Sequence, residues 1–271
     1  MREDIIGFIG AGNMATALVR GLVESGVHGS EQLRASDVHE ERLQRLSAGF
    51  GVRVHPTNQA LVQDCTVVIL AVKPQNMKTV LEDIKEKVHE DHLLISIAAG
   101  IPLKMICGAM GRSIAAIRVM PNTPALIQRG MSALASGGRA TAGDLEKARR
   151  IFEAVGETVT VSEEMMDAVT ALSGSGPGYV FRLMEGFVSA GVKVGFDRST
   201  ALRLVTQTFL GAAHLATESE KDLTELRAMV TSPGGTTAAG LAVMDERRVD
   251  ITLQEAVEAA CKRSIELGQN D

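Results

Sequence analysis

Ile5-Ile6-Gly7-Phe8-Ile9-Gly10-Ala11-Gly12-Asn13-Met14-Ala15 is the stretch that decides the fold. Ile5 to Ile9 is an apolar run of strand length. Beyond the glycines, Leu18, Val19, Leu22 and Val23 recur at helical spacing. Strand, glycine turn and helix, with G-x-G-x-x-A spacing, form a dinucleotide-binding pattern. Gly10 permits the tight turn, Gly12 lets a pyrophosphate approach the backbone, and Ala15 lets the helix pack close to the strand. The helix N-terminus offers free N–H groups and a positive dipole end. Ile9 to Met14, that is Ile9, Gly10, Ala11, Gly12, Asn13 and Met14, are therefore candidate phosphate contacts.

The chain has 271 residues, enough for one large or two ordinary domains with a substantial core. Its formal net charge of −5, with no basic block, argues against nucleic acid as a partner. Cys65, Cys107 and Cys261 lie far apart without a C-x-x-C, which suits a reducing cytoplasm and buried, hydrophobe-like thiols. Arg2, Glu3 and Asp4 precede the first strand, unlike a signal peptide. No apolar stretch reaches about 18 residues without charge, so a membrane span is not expected. The six histidines do not cluster with carboxylates at ligand spacing, so no metal site is expected.

Up to about residue 162, apolar strands alternate with amphipathic helices. Strands are expected at 5–9, 32–36, 52–55, 66–72, 93–97, 114–119, 131–135 and 157–161, joined as parallel βαβ units. Beyond that point strand signals stop. Helices are expected at 164–172, 178–194, 198–217, 220–230, 236–246 and 252–267, with Thr252-Leu253-Gln254-Glu255 as a capping box and Gly268 as a terminator. The expected architecture is an α/β Rossmann (doubly wound) domain over 1–162 and an all-helical domain over 163–271. A helical half of this kind often buries a partner's helices too.

Ligands of doubly wound sheets bind at the carboxyl ends of the strands. Ser36-Asp37 follows the second strand. An acid there suits the ribose diol of NAD, and a hydroxyl with a nearby cation suits the 2′-phosphate of NADP. Both types are present, with Arg34 and Arg42 near, so the residues leave the cofactor open. After the fourth strand, Pro74 holds Lys73 extended, so that it projects from the strand end. After the fifth, Ala98-Ala99-Gly100 leave room for a flat ring. After the sixth, Met120-Pro121-Asn122-Thr123-Pro124 form a stiff loop whose Asn122 is a candidate for hydrogen bonding substrate or a nicotinamide amide. In the helical half, Ser173-Gly174-Ser175-Gly176-Pro177-Gly178-Tyr179 opens a helix. Ser232-Pro233-Gly234-Gly235-Thr236-Thr237 combines backbone amides, hydroxyls and a helix start able to hold a carboxylate.

These motifs together resemble the pyrroline-5-carboxylate reductase family, the last enzymes of proline biosynthesis. GFIGAGNMA (Gly7 to Ala15), AVKP (Ala71 to Pro74), AAG, MPNTP, DAVTALSGSGPGYVF (Asp167 to Phe181) and SPGGTT (Ser232 to Thr237) occur in the family's order over essentially the whole chain. The resemblance implies a Rossmann domain, a helical dimerisation domain and homodimers that can assemble further. It also implies active sites between the Rossmann domain of one subunit and its partner's helices. It places the cofactor, NADPH with NADH as the alternative, at Gly10 to Met14, Ser36, Asn58, Ala71, Val72, Lys73, Pro74, and Ala98, Ala99 and Gly100. Substrate contacts fall at Glu220, Thr236 and Thr237. Two positions depart from the pattern. Asp37-Val38 lacks an arginine immediately after the serine to grip a 2′-phosphate, and Gly178 stands where alanine is common.

The implied reaction is hydride transfer to a cyclic imine bearing a carboxylate, giving L-proline. Such an imine is readily protonated, so no strong acid is required. His214, the only histidine of the helical half, is expected in the core of an apolar helix. Thr237 is the candidate to hydrogen-bond or protonate the ring nitrogen and Glu220 to stabilise the iminium, with Ser232, Gly234, Gly235 and Thr236 around the carboxylate. A β-hydroxyacid dehydrogenase would carry a lysine at the Val180 position, which valine cannot replace. A non-catalytic nucleotide sensor would not need intact substrate loops.

Overall fold

The computed structural model describes residues 4–269, which leaves Arg2 and Glu3 outside the described residues. The chain divides into two compact units. One runs to Ser175 and takes the chain back from Ala260, and the other is Gly176–Ala259. The change of period expected near Ser162 therefore falls thirteen residues before the units part, as the difference between 162 and 175 gives.

The first unit holds eight strands: β1 (Ile6–Ile9), β2 (Leu33–Ser36), β3 (Arg53–Val54), β4 (Val67–Leu70), β5 (Leu93–Ser96), β6 (Ala115–Met120), β7 (Gly130–Gly138) and β8 (Gly156–Thr160). Their order is β3-β2-β1-β4-β5-β6-β7-β8. Helices α1 (Asn13–Glu24), α2 (Glu40–Phe50), α3 (Asn58–Gln63), α4 (Met77–Ile84), α5 (Leu103–Met110) and α6 (Ala142–Glu153) connect them. β1 pairs parallel with β2 and β4, Ile6 standing opposite Leu33 and Val67. The β1, β4 and β5 runs are buried on both faces. Ile6, Phe8 and Ile69 pack on one side with Leu18, Leu22 and Phe152, while Ile9, Val68 and Leu70 pack on the other with Met77 and Leu81. Near-continuous apolar strands are what a sheet covered twice requires.

One expected connection is overturned. β7 runs antiparallel to β6, with Met120 opposite Ala133, while β8 returns parallel to β7. Residues 121–129 are too few for the crossover of a dozen or more residues that a parallel partner demands, so the chain simply folds back.

After β8 the chain enters a short helix α7 (Met166–Val169) and a π-helical turn, Thr170–Gly174. The second unit carries α8 (Gly176–Lys193), α9 (Arg198–Glu218), α10 (Leu223–Met229) and α11 (Thr236–Glu246), then most of α12 (Val249–Gln269). The expected capping box at Thr252 is not one. Arg248 adopts a left-handed conformation (φ 53°), α12 starts beyond it, and Thr252 lies a turn inside with its hydroxyl donating to the Arg248 carbonyl at 3.2 Å. Nor does Gly268 end the helix, which runs through it. Glu220 lies ahead of α10 rather than in a helix. His214 is exposed on α9, not in a core.

Within the first unit the last turns of α12 dock by a polar chain. Ser264 Oγ donates to Asp167 Oδ1 at 2.7 Å, and the buried Arg118 lies 3.6 Å from Asp167 and 3.5 Å from Glu163. Cys65 is buried, and that burial, helped by the neighbouring Asp64 charge, pushes its thiol up to about 12. Such a thiol stays protonated and behaves as a small hydrophobe. No described helix is long and apolar enough to cross a membrane.

Candidate functional site

Strand order reverses at β1, which lies between β2 and β4, so the carboxyl ends of these strands border a crevice. A cleft of about 1420 Å³ opens there, wide enough for a dinucleotide. Ile9 to Met14 form its floor, with Asn58, Ala71, Val72 and Lys73 on its walls. Gly10 makes the turn possible. Its φ is +101°, and a Cβ there would stand 2.6 Å from the Ala71 carbonyl. Gly12 caps α1 with no side-chain hydrogen bond and no acidic residue in the first turn, so the first N–H groups are open. A Cβ on Gly12 would meet nothing within 4 Å. That open space above uncapped amides is the cradle a pyrophosphate needs, and the residues present fit a dinucleotide.

Behind the floor, Ser36 Oγ donates to Asn58 Oδ1 at 2.8 Å, and Asn58 Nδ2 donates to Asp83 Oδ2 at 2.9 Å. Ser36 is buried and does not line the cleft; it fixes Asn58, which does. Pro74, Ala98, Ala99 and Gly100 also lie off the lining, although Ile97 is part of it. Lys73 has the extended backbone that Pro74 imposes (φ −65°, ψ 146°). Arg34 is not at the cleft. It is buried in a 2.7 Å ion pair with Asp64 at the opposite end of β2. Burial pushes the Asp64 carboxyl up, but Arg34, Arg53 and His55 together outweigh it and hold the acid below its ordinary range.

Asn122 has both ends of its amide engaged internally: Nδ2 donates to the Ser173 carbonyl at 3.1 Å and Oδ1 accepts from Met131 N–H at 2.9 Å. Those bonds tie the two-proline loop to its neighbours. Arg20, Arg42, Arg45, Thr79 and Asp83 do line the cleft. Of these, only Arg42 stood close enough in sequence to Ser36 to be noticed; the others come from helix faces that no local motif marks.

In the second unit, Gly234 takes a left-handed turn (φ +69°), and a side chain on Gly235 would collide with the Ser232 hydroxyl. α11 then begins at Thr236 without a side-chain cap, so its first amides are available to an anion. Thr237, on its first turn, is half-buried; Ser232, Thr236 and Glu220 are exposed.

A doubly wound sheet with a glycine-turn cleft at its switch point defines a Rossmann-type nucleotide-binding oxidoreductase. In keeping with that class, residues 5–100 match the family model described as "NADP oxidoreductase coenzyme F420-dependent". Residues 163–267 match the one described as "Pyrroline-5-carboxylate reductase dimerisation". The chain is 44% identical over 269 residues to a pyrroline-5-carboxylate reductase of Methanosarcina acetivorans, covering 99% of this chain and 100% of that one. A solved pyrroline-5-carboxylate reductase of Coxiella burnetii superposes with a TM-score of 0.93 at 35% identity, over 97% of this chain and 98% of the other. A Plasmodium falciparum pyrroline carboxylate reductase, solved with NADP bound, gives 0.89 at 31% identity over 99% of both chains. The chain belongs to the pyrroline-5-carboxylate reductase family.

Proposed function

We propose that this chain reduces 1-pyrroline-5-carboxylate to L-proline, with NADPH as cofactor and NADH as the alternative. The observation that carries the reading is the Ser232–Thr237 loop, a two-glycine turn that delivers uncapped amides and a half-buried hydroxyl at one helix start. Bound NADPH supplies a hydride, which ends on the imine carbon. The α11 amides with Ser232, Gly234, Gly235 and Thr236 hold the substrate carboxylate. Thr237 Oγ1 donates a hydrogen bond to the ring nitrogen, and Glu220 stabilises the positive charge there. The basic imine nitrogen takes its proton from solvent water, and arrival of the hydride on the carbon then leaves a neutral secondary amine. Because that nitrogen is already basic, orientation carries most of the catalysis.

On the cofactor side, Ile9 to Met14 hold the phosphates, and Asn58, positioned by Ser36, borders the adenosine ribose. Ala71 to Lys73 line the middle of the dinucleotide with Pro74 holding their backbone, and Ala98 to Gly100, which follow the lining residue Ile97, stand toward the nicotinamide end. The dimerisation match over residues 163–267 supports a homodimer; assembly of such dimers into larger oligomers rests on the family resemblance alone. The three free thiols support a reducing cytoplasm as its setting.

The test follows loss of reduced-nicotinamide absorbance with purified protein, pyrroline-5-carboxylate, and NADPH or NADH in parallel, with proline identified as product. Rapid oxidation yielding proline is the expected result. No oxidation with either cofactor, from folded protein that still binds one of them, would overturn the assignment.

A further inference from the structure

Resting on that reading, we propose that Arg42 grips the 2′-phosphate of NADPH, and that Asp37 pins the phosphate loop instead of selecting the ribose diol of NADH. An acid just beyond the second strand of a Rossmann sheet ordinarily accepts from the ribose hydroxyls and repels a phosphate. Asp37 is differently engaged. Its Oδ2 accepts from Ala11 N–H in the glycine turn at 2.7 Å, and its Oδ1 accepts from His39 N–H at 2.7 Å. The side chain is only 5% exposed, so it presents little surface to a diol. Its charge lies 3.5 Å from Arg42 Nη1, which offsets it.

Arg42 is the opposite case. Its side chain is 45% exposed and lines the same cleft. Its 3.5 Å ion pair with Asp37 is longer than the roughly 2.8 Å of a charge-assisted hydrogen bond, so the guanidinium keeps donors for a second anion. Arg45, one turn further along α2, lines the cleft too, as does Arg20, whose guanidinium lies 6.0 Å from the Phe50 ring centroid. The cleft therefore sets three guanidinium groups against two carboxylates, both already engaged: Asp37 accepts from Ala11 and His39, and Asp83 accepts from Asn58 and Gln59, while Arg45 also pairs with Glu41 at 3.9 Å. A planar fork able to take two phosphate oxygens is the chemistry a 2′-phosphate calls for. The arginine missing after Asp37, where Val38 stands 93% exposed, is supplied instead from the first turn of α2.

The experiment is calorimetric titration of NADP+ and NAD+ into the purified wild-type, Arg42→Gln and Asp37→Asn proteins. Arg42→Gln should weaken NADP+ roughly tenfold or more, the worth of a charge-assisted hydrogen bond, and leave NAD+ unchanged, which also shows that the variant is folded. Asp37→Asn should weaken both nucleotides alike, because a loosened loop serves both. Equal loss of both nucleotides, or of neither, in Arg42→Gln overturns the grip. Tighter NADP+ with weaker NAD+ in Asp37→Asn makes Asp37 the selector and overturns the pin, as does no change in either. Nucleotide preference behaving as stated while wild-type protein fails to reduce the imine would remove the proposed reaction and leave this inference standing.

Discussion

Gly10 and Gly12 share a turn but hold it for different reasons, and substitution separates them. Alanine at Gly10 must adopt φ near +101° with its Cβ 2.6 Å from the Ala71 carbonyl, which is main chain and cannot swing away. Strain at such a φ alone costs about 1–3 kcal/mol. Gly10→Ala should lower stability in denaturant titration by at least that, with nucleotide binding lost as well. Gly12 has φ −76° and open space around its Cβ position. Gly12→Ala should leave stability within about 0.5 kcal/mol, yet weaken nucleotide binding, because the methyl group occupies the cradle. On the proposed reaction, Thr237 makes its contribution during turnover. Thr237→Ala should lower kcat/KM for the imine roughly ten- to hundredfold, with nucleotide affinity kept and most activity restored by Thr237→Ser. Unchanged kinetics would remove Thr237 from the mechanism. The glycine turn, the extended Lys73 and the turn geometry of Ser232–Thr237 were legible because each is set by residues local in sequence. Asp83 and Arg20 were not, since only the folded sheet brings α4 and α1 to the same cleft. The internal partners of Asn122, Ser173 and Met131, were not legible either, the first of them standing 51 residues away.

Elements were legible where period and length agree, and uncertain where two readings share one pattern. Each run expected as a strand holds one; the runs of β1, β4 and β5 have the length a buried strand needs, whereas 52–55 yields only the exposed pair Arg53–Val54. Strand direction has no period, and only the shortness of residues 121–129 distinguishes the antiparallel β6–β7 pair from a crossover. Capping boxes show the same ambiguity. Thr141 and Asp144 form a true one at the start of α6, while the similar Thr252 and Glu255 lie inside α12 because the helix had already started at Val249. The cap of α9 is sharper still. Asp197 Oδ1 accepts from Ser199 N–H at 2.9 Å and Thr200 N–H at 3.0 Å, and these bonds, with the Ser199 hydroxyl, hold its carboxyl well below the usual range. A carboxyl depressed in the folded state stabilises fully above its unfolded value, near 3.9, and loses that contribution as pH falls through the folded value. Asp197→Ala should therefore lower Tm at neutral pH, and the gap to the wild type should narrow in acid below about pH 4. A gap that stays constant with pH would mean that the charge plays no part in the cap.

At the scale of the whole molecule, the two units bury apolar surface very differently. The sheet unit has two continuous cores. In the helical unit, α9 buries only Ala201 along 21 residues, α8 buries only Val188, and α10 and α11 bury none. Phe181, Leu202, Leu204, Leu210, Leu215, Leu223 and Val243 are each at least half exposed. An isolated chain does not keep so much apolar surface in water, and the helical unit is where the dimerisation family matches. A second copy covering these faces accounts for their composition, including a His214 that is exposed in the single chain. Burying a charge in such an interface costs several kcal/mol, so Leu215→Glu should shift sedimentation from dimer toward monomer. Because the nucleotide cleft is lined entirely by the sheet unit, NADPH binding should persist in that monomer. A Leu215→Glu protein that stays dimeric would move the interface off α9, and a wild-type chain that sediments as a monomer would leave these helices without the partner their surface requires.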